Sequence, residues 1–366
     1  MTFDVIEIGA EPLTDIRELW ESLADRATDP LLFQSWHWCR AWLECRSDAS
    51  RAEIQMKLFV ATTQSGDWVG LAPLFIRRVK RSGIPLRCLQ FVGGASGMHT
   101  VFRTEYNDFL LDEAHAVGAR ATLCEAIMNC RDWDEWLLAD MAGSETVDAV
   151  RTIMPGNGRL TADELGYRAD LSDGFDAYIT QLRGSARRQL FNKRKRLAAL
   201  GTVAVERVGG EHWSDFLETM NTFHTKRWGQ PVIGPLRSRF LDLLLETEDE
   251  NAPQQASSLL KVDGAPYSAL LDIDYRGRRY NLQAGISDTA PSAISPGLLH
   301  FGYSMEDAAD LRLKTYEFLI GRGKHENYKQ SIATQEIRAL SLDFPRPLWL
   351  RTLYAANDKI NQILRR

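Results

Sequence analysis

The stretch His224-Thr-Lys-Arg-Trp228 sets an imidazole and an indole one helical turn apart, on one face of an expected helix. A histidine there titrates near neutrality and serves as a base or hydrogen-bond partner, although the same pair also suits simple packing. Asp272 and Asp274 alternate with apolar residues, which places both on one face of a strand, ordinarily a solvated one. The segment QAGISDTAPSAISPGLLH, 283–300, passes from an apolar run through small polar residues into a helix expected to start at Pro296. Ser295 is placed to cap that helix through its hydroxyl, Pro296 suits the first helical position, and Gly297 removes side-chain bulk. Free N–H groups at such a start can hold an anion such as a pyrophosphate, but Ser-Pro also opens helices that bind nothing. Lys324, Tyr328 and Lys329 follow a strand ending near Gly321, and Tyr106 and Asp108 occupy the matching region of the first half. Loops in such places often line sites.

Arg183 to Arg196 holds seven Lys or Arg in fourteen residues, with Leu182, Ala186, Leu190, Leu197 and Leu200 marking an apolar stripe. The run is either a solvated helix face or a patch for phosphates, an anionic glycan or RNA. It lacks the interleaved aromatics of a single-strand binder. No Ser/His/Asp order, phosphate-binding Walker loop or HExxH appears, so hydrolase and P-loop chemistry have no support. The chain of 366 residues is 44% hydrophobic and 25% charged, with a net charge of −5. That composition fits about two globular domains and argues against a surface built throughout for nucleic acid. The five cysteines form no CxxC and no zinc-ligand cluster, which suits reduced, buried thiols. No metal is expected. The acidic start MTFDVIEIGAEPL lacks a signal-peptide pattern and no apolar run is long enough to span a bilayer, so a soluble, cytoplasmic protein is expected.

The elements that must position these residues follow from periodicity. Helices are expected over 13–25, 34–45, 114–129, 145–153, 175–200, 211–228 and 296–309. Strands are expected over 2–8, 54–62, 68–78, 86–92, 108–111, 135–141, 203–208, 257–262, 266–275, 279–286 and 315–320. LFVATTQSGDWVGLAPLFIRR and SLLKVDGAPYSALLDIDYRGRR read as the same hairpin twice, about two hundred residues apart, each followed by strand, loop, helix and strand. The expected fold class is mixed α/β (α+β): two similar units of mostly antiparallel sheet flanked by helices. The domains are expected at 1–165 and 166–345, with a helical tail over 346–366. The helix of the first half starts after two carboxylates, Asp112 and Glu113, whereas the second-half loop carries only Asp288, so the second half is the better phosphate site.

These segments in their order resemble the GNAT-fold acyltransferases of the CelD-like type, named for a cellulose-biosynthesis protein. The resemblance runs from about Trp20 to Lys329 and rests on FQSWHWCRAW, GLAPLFIRR, LRCLQFVGG, YNDFLL, RKRLAALG, FHTKRW, SPGLL and YEFLIGRGKHENYK. It implies two tandem GNAT-like halves, similar to Fem-type peptidoglycan aminoacyl ligases, with the second binding the acyl donor. The donor implied is an acyl-CoA, acetyl-CoA or longer. Its pyrophosphate would lie on the loop and helix start at Ile294, Ser295, Pro296, Gly297 and Leu298, and its thioester beside Gln283, Ala284 and Gly285. The family's Arg/Gln-x-x-Gly-x-Gly/Ala pattern is here ISPG, with one glycine and no arginine. The mechanism implied is direct transfer without a covalent enzyme intermediate, to an amine or hydroxyl of a small molecule, a sugar or an envelope or exopolysaccharide precursor. His224 is the first choice of base and Asp272 the second, with Tyr328 or Tyr280 protonating the leaving thiolate. Tyr106, Asp108, Arg227, Trp228 and Lys329 are the expected acceptor-binding residues. Two other readings are a Fem-type ligase fed by aminoacyl-tRNA, in which the basic helix contacts RNA, and a non-catalytic accessory protein of an exopolysaccharide system.

Overall fold

The computed structural model describes residues 3–9, 13–94, 101–154, 158–247, 249–289, 294–321 and 328–364. The chain divides into two compact units, Met1–Glu164 with Arg338–Arg366, and Leu165–Ile337.

The first unit opens with β1 (Asp4–Ile8), α1 (Arg17–Asp25), α2 (Trp36–Glu44) and the single turn α3 (Asp48–Arg51). Three long antiparallel strands follow, β2 (Ile54–Thr62), β3 (Trp68–Arg81) and β4 (Ile84–Phe91). The short β5 (Leu110–Leu111) pairs with β3. After α4 (Ala116–Asn129), β6 (Glu135–Ala142) joins the far edge parallel to β4, and α5 (Glu145–Ile153) closes the layer. Alternate residues of these strands pack with Leu123, Ile127, Trp133 and Val147 into one core. Cys39, Cys45, Cys88 and Cys124 are all buried.

The strand β7 (Arg159–Asp170) leads into the second unit. The helix expected over 175–200 is broken into α6 (Phe175–Gln181), α7 (Gly184–Arg187), a π turn at Arg188–Asn192 and α8 (Arg194–Ala198). Leu182 turns extended at the end of α6, and the π turn shifts the helical phase so that Leu190 and Leu197 are both fully buried. Then come β8 (Val203–Arg207), α9 (Trp213–Trp228) and α10 (Pro235–Leu244), the last absent from the sequence expectation. The short β9 (Gln254–Gln255) pairs with β11, and β10 (Ser258–Val262), β11 (Ala265–Tyr275) and β12 (Arg278–Ile286) form an antiparallel meander. After α11 (Pro296–Asp310), β13 (Thr315–Ile320) runs parallel to β12 and antiparallel to β7, and α12 (Tyr328–Ile332) follows. The chain then returns to the first unit through β14 (Gln335–Pro345), which pairs with β6, and ends in α13 (Leu348–Leu364). Residues from Arg338 onward, expected as the end of the second domain and a tail after 345, thus lie in the first unit.

Each unit therefore places four antiparallel strands beside a fifth that joins parallel to the fourth: β1-β2-β3-β4-β6 in one, β8-β10-β11-β12-β13 in the other. The third and fourth strands are joined in both by a two-residue turn, Ser82-Gly83 and Arg276-Gly277, with φ of 49° and 82° in the first and 45° and 75° in the second. Two successive left-handed residues match the twist of a tight hairpin, and glycine is the second in each. The duplication read from the two hairpins is thus a property of the fold. No helix among the described residues is long and apolar enough to cross a membrane.

Candidate active site

In the second unit, β12 and β13 pair only at Arg278–Tyr280 and Thr315–Glu317. Beyond those three pairs the two strands part. β12 also carries an extra residue at Leu282, since Leu271 faces Gln283 while Asp272 faces Asn281. A fully buried polar knot holds this fork. Asp272 accepts from Asn281 Nδ2 (2.7 Å), Ser304 Oγ (2.7 Å) and Tyr316 OH (2.9 Å), tying β11 to β12, α11 and β13. Beside it the buried Arg279 guanidinium bonds both carboxylate oxygens of Asp274, at 2.7 and 2.8 Å, and Asp307 at 2.6 Å. Burial pushes the Asp272 carboxyl up to about 6, against the pull of Arg279 and its three donors.

A cleft of about 680 Å³ opens where the strands part, lined by Gln283–Ile286 of β12, Ser295–Leu298 and Phe301 of α11, Tyr328, and the end of α9 with the following loop. The start of α11 is bare. Ser295 does not cap it; its hydroxyl points to Gln189 and donates to Oε1 (3.1 Å). Pro296 has no N–H, and Leu299 N–H is taken by the Ser295 carbonyl (3.0 Å). The N–H groups of Gly297 and Leu298 have no acceptor among the described residues, at the positive end of a fifteen-residue helix with no acidic residue in its first turn. Gly297 packs closely against β12, since a Cβ there would lie 2.6 Å from Ile286 Cδ1, the end of a side chain that can turn.

His224 reaches the β12 edge from α9. Its Nε2 lies 3.3 Å from the Ala284 carbonyl and 3.0 Å from Gln283 Nε2, so the ring's tautomer decides which contact it makes. Burial first, then the Arg227 and Arg237 charges, hold its pKa below the ordinary histidine value, and its hydrogen bond to Ala284 only partly opposes this. The imidazole is therefore neutral at pH 7 with a free ring nitrogen. Tyr328 stacks on Phe301 at 6.0 Å, and burial raises its phenol to about 12, so it keeps its proton.

The cleft thus brings together His224, Arg227, Trp228, Gln283, Ala284, Gly285, Ser295, Pro296, Gly297, Leu298 and Tyr328. Four expected site residues of the same unit lie elsewhere. Asp272 is sealed beneath α11 and does not line the cleft. Tyr280 is also fully buried. Ile294 packs with Leu197, Leu260 and Leu299. Lys329 gives its ammonium to the carbonyls of Phe318, Leu319 and Ile320, which end β13, and is thereby occupied. Tyr106 and Asp108 belong to the first unit. There Tyr106 is buried in a left-handed conformation (φ 54°), and Asp108 accepts from Phe109 N–H and Thr146 Oγ1. Lys324 lies outside the described residues, as do 290–293 of the loop. The sequence reading missed Arg237 and the 230–232 loop, although Gly234-Pro235 is an ordinary helix-start signal.

The basic run packs on α11 close by. Leu190 O would lie 2.2 Å from a Cβ on Gly302, so backbone touches backbone there. Arg194 bonds Glu306 at 2.6 Å and covers the Tyr303 ring at 3.9 Å. Arg183, Arg187, Arg188, Lys193, Lys195 and Arg196 have no ion-pair partner among the described residues.

The cleft is thus framed by a parallel pair that parts beside a helix start, at the edge of an antiparallel meander. Residues 184–330, all within the second unit, match the family described as acetyltransferase (GNAT) domain. Among curated proteins none matches the sequence. The fold is shared with the crystal structure of FemX, at a TM-score of 0.64 and 13% identity, covering 95% of this chain and 99% of that one. It is shared too with L-PGS from Bacillus licheniformis, at a TM-score of 0.53 and 12% identity over 93% and 96% of the two chains.

Proposed function

We propose that the second unit binds an acyl-CoA and transfers its acyl group directly to an amine or hydroxyl of a small molecule, sugar or envelope or exopolysaccharide precursor. The observation that carries this is the pair of unclaimed N–H groups at Gly297 and Leu298, facing a cleft where β12 and β13 part. The helix start suits the pyrophosphate, and the gap between the strands suits the pantetheine arm. The thioester carbonyl then lies along Gln283–Gly285, where backbone N–H groups stabilise the oxyanion. His224, with Nε2–H held by the Ala284 carbonyl, offers Nδ1 as the base. The acceptor nitrogen or oxygen bonds to the carbonyl carbon, its proton passes to His224, and the C–S bond breaks. The thiolate takes a proton from Tyr328 as it leaves, and the proton held by His224 returns to the tyrosinate through solvent, which resets both groups. The products are the acylated acceptor and free CoA. Asp272 is a positioning residue in this scheme, since it holds the fork and touches no reactant.

The unpaired cations of the 183–196 run favour a second reading, in which the donor is an aminoacyl-tRNA. Thermal-shift measurements with acetyl-CoA, longer acyl-CoAs, free CoA and charged tRNA separate the two. A CoA species at a hundred times its Kd adds about 2.7 kcal/mol to the folded state. If no CoA species moves the transition while charged tRNA does, the acyl-CoA reading fails and the ligase reading replaces it.

A further inference from the structure

The wall of the cleft opposite α11 is built from the end of α9, the loop 230–232 and the start of α10, and it carries charge of one sign. Arg227 and Arg237 both line it, and among the described residues that line the cleft none is acidic. Arg227 is exposed, lies 5.6 Å from the Trp228 ring centroid and has no ion-pair partner among the described residues. Its place in the last turn of α9 is favourable for a cation in any helix, so alone it says little. Arg237 is different. It is the third residue of α10, where a positive charge opposes the helix dipole, and α10 has no side-chain cap to offset it. It is also half-buried, and burial draws its pKa below the ordinary arginine value. With Arg227 it sets two guanidinium groups on one wall of the cleft.

The loop beneath it is fixed in advance. Asn221 Oδ1 accepts from Val232 N–H (3.0 Å) and Ile233 N–H (2.7 Å), and its Nδ2 donates to Ile233 O (2.9 Å). Arg237 Nη1 in turn donates to the Val232 carbonyl. The guanidinium is thereby set beside His224 before any substrate arrives, and Trp228, 49% exposed, offers a flat apolar face next to it.

We infer that the acceptor is an amine or alcohol bearing its own anionic group, a carboxylate or a phosphate, which docks on Arg237 and Arg227 and so presents its nucleophile to His224. This rests on the reading of the cleft as an acyl-CoA site and adds the class of acceptor. The transfer is the one already written, with the anion a spectator to the bonds made and broken.

Two matched pairs of amines test it, with CoA release from acetyl-CoA as the readout: glucosamine 6-phosphate against glucosamine for a phosphate, and lysine against cadaverine for a carboxylate. The anionic member of at least one pair should be preferred about tenfold or more in kcat/KM, the worth of one good charge-assisted contact. R237M should raise KM for that anionic amine about tenfold with a much smaller change in kcat, and R237K should restore part of the loss. R227E, at an exposed position, should shrink the preference too. The dissociation constant for acetyl-CoA should stay within about twofold in all three variants. The inference is overturned if the neutral members are used as well as the anionic ones. It is also overturned if no member of either pair releases CoA from protein that binds acetyl-CoA, or if R237M weakens acetyl-CoA rather than the amine. Failure of acetyl-CoA itself to bind is read separately, by thermal shift, and falls on the donor assignment.

Discussion

Replacing Gly297 with glutamate should lower donor affinity while changing stability little. A Cβ at this position meets only Ile286, at 2.6 Å from Cδ1 and 3.0 Å from Cγ1, and both are atoms of a side chain that can turn. Forcing that rotation costs about 0.5–1.5 kcal/mol. Against it, exchanging glycine for a better helix former gains about 0.5–1 kcal/mol, and a carboxylate in the first turn of α11 gains about 0.3–1 kcal/mol from the dipole. The terms nearly cancel, so the free protein's stability should shift by anything from a loss of about 0.7 to a gain of about 1.5 kcal/mol. The same carboxylate would lie about 5 Å from a pyrophosphate held by the Gly297 and Leu298 N–H groups. At an effective dielectric between about 20 and 80, Coulomb's law gives roughly 0.8–3 kcal/mol against each phosphate charge. Two charges make that at least a tenfold loss of affinity, and the loss should shrink in about 1 M salt as screening shortens. Calorimetry of the free protein and titration with acetyl-CoA read the two quantities separately. A melting point that drops by many degrees would show that the helix start is not free to accept the side chain. An unchanged acetyl-CoA affinity at low salt would show that the pyrophosphate does not sit at α11.

Three further outcomes follow from the same geometry. Because burial and two arginines hold the His224 pKa below the usual histidine value, the base is active above that lowered pKa. The acid limb of kcat/KM should then fall below pH 6.5, the ordinary histidine value, and H224Q should lose about 10²–10⁴ in rate together with that limb. G302A places a Cβ 2.2 Å from the Leu190 carbonyl oxygen, a backbone atom that cannot rotate away, so it should lower stability by about 1–3 kcal/mol or more, read as a lower urea midpoint at unchanged m-value. Asp272 has a folded pKa raised to about 6, so its proton is bound more tightly in the folded chain and its stabilisation fades as pH rises through that value. From about pH 4 to 7 the wild type should lose up to roughly 3 kcal/mol relative to D272N, which has no such proton, as read from unfolding curves across that range.

The repeated hairpins were legible because strand alternation and X-Gly turns are local signals, and the two units show how far they reach. Ser-Pro-Gly marked the start of α11 correctly, yet not its state, since Ser295 spends its hydroxyl on Gln189, 106 residues away in sequence. The same limit explains Asp272. Alternation placed it on one face of β11, but only the packing of α11 over that face decides whether a carboxylate is solvated or sealed. His224 and Gln283 lie 59 residues apart, and nothing in either neighbourhood announces their contact. The broken basic helix was misread because its apolar stripe looks continuous, and a π turn shifts helical phase without leaving a mark in composition. The alternating segments of β7 and β14, and the Gly-Pro start of α10, carried ordinary signals that went unused.

The return of β14 to pair with β6 has a consequence for how the protein is made. Asp140 N–H and Ser341 Oγ, which bond at 2.9 Å across these strands, are 201 residues apart. At a translation rate of about 5–20 residues per second, β6 waits roughly 10–40 s with one edge unpaired while the whole second unit emerges. Trp136, Leu138 and Met141 are core residues and stay sticky until the partner arrives. A chain that ends at residue 337, through early termination or a cut just after it, would thus have a second unit that is whole and a first unit that is an open template for aggregation.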